Sequence, residues 1–177
     1  MESRRKRKRS QITKWVCYAL LMLLCTVLQT LPGLFRLGEA KPLWLLPLAL
    51  VVAVEEGEFA GGIFGAVCGL MWDYTAGRTA GLLAFELLLL CFLLSAVMQL
   101  YFKTSAANVV LLETAAVLLV LSLDWLFFYY MPGYSGAVER YLWFVLPTAA
   151  LTIPVCLVLF GAVRRIHAEF KIDNDVV

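Results

Sequence analysis

Charge is scarce in this chain, and its distribution says more than its scarcity. Charged residues make up 16% of the 177 positions, against about 25% in soluble domains, while 62% are hydrophobic. Between Lys14 and Arg36 there is none: 15-WVCYALLMLLCTVLQTLPGLF-35 runs for 21 residues, about 30 Å as a helix and enough to cross a bilayer core. A soluble globular fold is excluded, and an all-α integral membrane protein is the fold class expected. Histidine occurs once, at His167 in the polar stretch after the last apolar run, and is read as a solvated interfacial residue. Cys17, Cys25, Cys68, Cys91 and Cys156 stand singly within apolar stretches, with no CxxC and no Cys/His pair. That suggests neither a metal centre nor a disulfide scaffold, and they are read as packing residues. No His-based, Ser–Lys or metal-ligand set is present, so the chain reads as a non-enzyme without cofactor. Long polar connections are missing too. The longest, around 132-PGYSGAVER-140, is far too short for a soluble domain.

The apolar segments divide into six expected crossings, at roughly 14–35, 41–56, 57–76, 79–102, 107–131 and 139–163. The domain plan is a basic N-terminal segment (1–14), a six-helix membrane domain (15–163) and a C-terminal tail (164–177). A cleaved signal peptide fits the start less well than a retained helix, because the apolar run is long and no small-residue cleavage site follows it. The second segment is the weakest, with thirteen uncharged residues between Lys41 and Glu55 and Pro47 among them. It is expected to be short, kinked or re-entrant. With the N-terminus inside, eleven of the fifteen basic residues fall on the cytoplasmic side, and only Arg36, Lys41, Arg78 and Arg140 on the outer one. Both termini are therefore expected in the cytoplasm. The block 4-RRKRKR-9, set directly before a membrane helix, is read as a topology signal that attracts anionic lipid rather than nucleic acid. The tail 171-KIDNDVV-177 mixes charges and is expected to be disordered.

Against this background 57-GEFAGGIFGAVCGLMWDYTAGRTAG-81 stands out. Gly57, Gly61, Gly65 and Gly69 recur every four residues, which on a helix makes a smooth stripe. In lipid, where apolar side chains gain little by meeting, such stripes let helix backbones approach closely. The stripe serves internal packing or receives a partner's helix or a ligand. Asp73 continues it, about 24 Å along the helix from Gly57. Glu86 and Asp124 are expected near the same outer level, with Arg78 and Arg140 as available counter-ions, while Glu113 lies toward the inner end of the fifth crossing. The outer group is either a structural ion-pair cluster or a site for protons or substrate.

Pro42, the glycines at 57, 61, 65 and 69, then Leu70, Asp73, Gly77 and Gly81 resemble the motif of the bacterial rod shape-determining protein MreD family over residues 42–85. Members of that family often carry an acid just after the proline, where this chain has Leu43. The resemblance implies a non-enzymatic membrane subunit of the cell-elongation machinery. It further implies work with an MreC-like single-span membrane protein, an MreB-like actin homologue, and a peptidoglycan polymerase and transpeptidase. It also implies a six-helix fold similar to the substrate-binding subunits of energy-coupling-factor transporters. Such a transporter subunit is the alternative function, and a proton-coupled carrier using Asp73, Glu86 and Asp124 is a third. The bulky first helix, WVCYALLMLLC, lacks the small-residue surface by which those transporter subunits commonly meet their coupling protein. Cysteine-accessibility labelling tests the topology: a cysteine at Arg36 or Ser135 is expected to react only from outside the cell, and labelling solely from the cytoplasm overturns the orientation.

Overall fold

Six helices make up the computed structural model, which describes residues 2–31, 38, 40–77, 81–101 and 105–170. They are α1 (Glu2–Thr30), α2 (Leu45–Glu56), α3 (Glu58–Ala76) and α4 (Leu82–Tyr101), followed by α5 (Ala106–Tyr130) and α6 (Ala137–Glu169). Four of the six are individually long and apolar enough to cross a membrane: Arg9–Thr30 of α1, and α4, α5 and α6. Leu20, Leu24, Ile63, Leu93, Leu111 and Val158 all point outward. Large apolar side chains face out around the bundle, as a lipid solvent requires. This is an integral membrane helical bundle.

The second apolar segment forms a helix of only 12 residues, about 18 Å long. It is apolar on every side, and a helix of that kind must be enclosed. Every residue from Leu45 to Val54 is buried, because α1, α3, α4, α5 and α6 all pack around it. Pro47 does not kink it, for it stands in the first turn, where its missing N–H would have no helical partner anyway.

The chain leading into α2 is non-helical and passes into the bundle, where an unpaired backbone group would be costly. Side chains from distant helices supply the acceptors. Trp44 N and Leu45 N both donate to Gln29 Oε1 at 3.0 Å. Leu43 N donates to Thr152 Oγ1 at 3.1 Å, and that hydroxyl donates onward to Thr148 O at 2.7 Å. Leu43 is itself buried.

Gly57 departs from the expected stripe. It lies outside α3, as the link between α2 and α3, with φ +92°. Only glycine adopts that conformation cheaply. The remaining stripe is divided between two neighbours. A Cβ at Gly61 would overlap the backbone of Ala53 on α2, one at Gly65 would come within 2.9 Å of Leu87 O, and one at Gly69 within 2.7 Å of Leu83 O, both on α4. At Gly65 and Gly69 α3 and α4 touch backbone to backbone, and at Gly61 α3 meets α2 in the same way.

The start of α1 and the end of α6 lie at one end of the bundle, where Ser10 Oγ donates to Phe170 O. The α6 helix runs on to Glu169, beyond the expected boundary at 163. Arg36, Arg78, Lys103 and the 171–177 tail fall outside the described residues. Replacing Gly65 or Gly69 by Leu is expected to destabilise the protein by about 1–3 kcal/mol or more. Leu88→Ile, on the half-exposed face of α4, should leave it nearly unchanged. Thermal unfolding of each variant in detergent measures the difference, and equal stability would mean that the stripe packs against nothing.

Candidate functional site

Polar side chains gather at both ends of this bundle. At the end holding the start of α1, Glu56 closes α2 and receives three donors. Lys14 Nζ lies 2.6 Å from Glu56 Oε2, with both side chains less than a tenth exposed. Tyr18 Oη donates to Glu56 Oε1 at 2.8 Å. His167 Nδ1 lies 2.9 Å from the same oxygen, its side chain 26% exposed. Three helices are thereby joined through one carboxylate. The reading of His167 as a solvated residue is corrected here: a pairing across 111 positions leaves no periodic trace in the sequence.

At the opposite end Asp73 is 2% exposed. Its Oδ2 accepts from Gly81 N at 2.9 Å, just before α4, and from Leu83 N at 3.2 Å, in its first turn. This is an N-cap supplied by the preceding helix, and the positive end of α4 suits the negative charge. Gly77, in the left-handed conformation with φ +64°, ends α3 by donating to Asp73 O. One aspartate thus sets both sides of the turn. Glu86 lies within electrostatic reach of Asp124 and Asp73, so the three acids share a neighbourhood. Arg140 is placed by aromatic rings: its guanidinium carbon lies 4.4 Å from the centre of the Tyr129 ring and 5.3 Å from that of Phe144. Arg78 is outside the described residues.

The family model for "rod shape-determining protein MreD" matches residues 9–166. The chain belongs to the MreD family. The match extends well past the 42–85 motif and runs from within α1 through nearly all of α6. No curated protein and no solved structure matches the chain, so the expected likeness to energy-coupling-factor subunits has no structural match behind it. Family membership makes this a membrane protein of rod shape determination.

For an MreD-family chain the polar chemistry on view is that of assembly. Asp73, Gln29 and Thr152 each accept from backbone N–H groups, and Glu56 is occupied by Lys14, Tyr18 and His167. Among the described residues no group of three His, Cys, Asp or Glu side chains is arranged to hold a metal. Glu113 stands apart on α5. It is fully buried and faces the Cys156 thiol.

The sequence offered no signal for Gln29, Thr152 or the Lys14–Glu56 pair, each of which meets a partner far along the chain. Lys14→Met would leave the Glu56 carboxylate buried without its main counter-charge, a change that typically costs about 3–5 kcal/mol. Combining Lys14→Met with Glu56→Gln is expected to recover most of that loss. Unfolding in detergent of the single and double variants checks this, and a double variant no better than Lys14→Met would refute the pairing.

Proposed function

We propose that this MreD-family protein is a non-enzymatic scaffold subunit of the bacterial cell-elongation machinery, seated as a multi-pass protein in the cytoplasmic membrane. It holds an MreC-like bitopic protein, an MreB-like actin homologue and a peptidoglycan polymerase and transpeptidase together during lateral wall synthesis. One observation carries the reading: apart from Glu113, the charged and amide side chains buried deepest in the bundle are committed to fixing its own helices. Gln29 and Thr152 seat α2, Asp73 caps α4, and Glu56 ties α1, α2 and α6. A carrier needs such groups free for a substrate or a proton. A scaffold needs them where they are, so that its outer surface keeps one shape.

Both termini face the cytoplasm on this reading, which puts the arginines and lysines of 4-RRKRKR-9 against anionic lipid headgroups. The described connections between helices are short, so partners meet this protein mainly along its lipid-facing helices. Loss of the protein is expected to widen or round the cells and to disturb lateral wall synthesis. A pull-down in mild detergent, read by mass spectrometry, is the deciding experiment. Recovery of the bitopic protein with wall-synthesis enzymes supports scaffolding. Recovery of a membrane coupling protein with two ATPases replaces it with a transporter subunit.

A further inference from the structure

The hairpin between α5 and α6 is built differently from the rest of the bundle. On either side of it the helix widens into a π-helical turn, Leu126–Tyr130 and Tyr141–Val145. The wider hydrogen-bond spacing is visible in Met131 N donating to Leu126 O and Tyr134 N to Tyr129 O. Such turns are uncommon and often mark functional sites. Trp125 holds the two sides together: its Nε1 donates to Ala137 O at 2.7 Å, and its ring packs edge-on against Tyr141 at 5.0 Å.

Between these turns lies a cavity of about 660 Å³, lined by Tyr129, Tyr134, Ser135, Glu139, Arg140 and Trp143 among others. Arg140 stacks on Tyr129 and Phe144. Its Nε is buried and has no hydrogen-bond partner among the described residues. Arg140 lines the cavity, and its planar guanidinium carries further N–H donors in a fork that matches the acceptor oxygens of a phosphate. Trp143 and Tyr134 are largely exposed beside it, and tryptophan and tyrosine at a helix end mark the headgroup level of a membrane. The anion concentrated at that level is lipid phosphate.

We propose that this aromatic-walled cavity binds the phosphate of an amphiphile headgroup, with Arg140 as its anchor, at the membrane interface opposite the start of α1 and the end of α6. Glu139 on the same rim accepts a hydrogen bond from an amine or hydroxyl of that headgroup. The aromatic faces of Tyr134 and Trp143 cover its apolar carbon atoms. The inference stands apart from the scaffold reading, since a site of this kind would serve a carrier equally.

Purified full-length protein in a phosphate-free non-ionic detergent tests it. Phosphatidylglycerol, diacylglycerol and glycerol 1-phosphate are titrated in turn, with bound lipid counted by native mass spectrometry. Phosphatidylglycerol should bind saturably and diacylglycerol should not. Arg140→Gln should weaken phosphatidylglycerol binding roughly tenfold. Glycerol 1-phosphate competing as well as the lipid would identify a soluble phosphate ester as the occupant of the same site. Glycerol 1-phosphate without effect would assign the site to lipid. Should Arg140→Gln fail to fold, Trp143→Ala, at an exposed position, takes its place and should also weaken binding. A folded variant that binds phosphatidylglycerol as tightly as the unaltered protein, or diacylglycerol binding equally well, overturns the proposal.

Discussion

A helix that shows apolar side chains in every direction has no stable surface of its own to offer, and α2 is such a helix. At 12 residues it is also too short to cross a bilayer core by itself. Everything else in the bundle answers these two deficits. Five helices surround it, and the polar groups at its two ends are met by Gln29 and Thr152 at one and by Lys14, Tyr18 and His167 at the other. In water the hydrophobic effect alone would gather these helices. In lipid it does not, and the close fits and buried hydrogen bonds carry the assembly instead.

The glycines and Asp73 solve a related problem for α3 and α4. Two antiparallel helices joined by a short connection need their backbones close together and their adjoining ends neutralised. Small residues at 65 and 69 meet the first need, because the space a side chain would fill is already held by α4. Asp73 meets the second by capping the helix that follows. The spacing of an acid one turn beyond the last close-packed glycine is therefore a geometric unit, which explains why glycines and a carboxylate recur together in a membrane segment. An acid beside an apolar run is expensive only when nothing nearby donates to it.

The bundle was legible in the sequence wherever the signal was local. Six apolar segments announced the helices, four of them long enough to span a membrane, and the proline–glycine–aspartate series pointed to the MreD family, whose model matches residues 9–166. Where spacing alone was the guide, the reading went astray. Gly57 shares the four-residue rhythm of Gly61, Gly65 and Gly69, yet it serves through its positive φ rather than its small size. Nothing in a spacing distinguishes those two uses of glycine. The Glu56 cluster was invisible for another reason. Glu56 meets Lys14 across 42 positions and His167 across 111, and one carboxylate in a run of acids does not declare which lysine or histidine it will meet.

The shortness of α2 bears on how the chain enters the membrane at all. A segment of this length, followed at once by Gly57 and then by α3, makes a poor independent substrate for the insertion machinery, which responds to segments of about 20 residues. The sharp reversal at Gly57 lets α2 and α3 enter together as a hairpin whose two limbs bury each other. Even then the first turn of α2 lacks acceptors until Gln29 arrives from α1, and the approach to it lacks one until Thr152 arrives from α6. One of those partners is synthesised before α2 and the other nearly a hundred residues after it. The core of this protein is thus the part that must wait longest to be completed, and biogenesis, rather than the finished fold, sets the order in which its contacts become available.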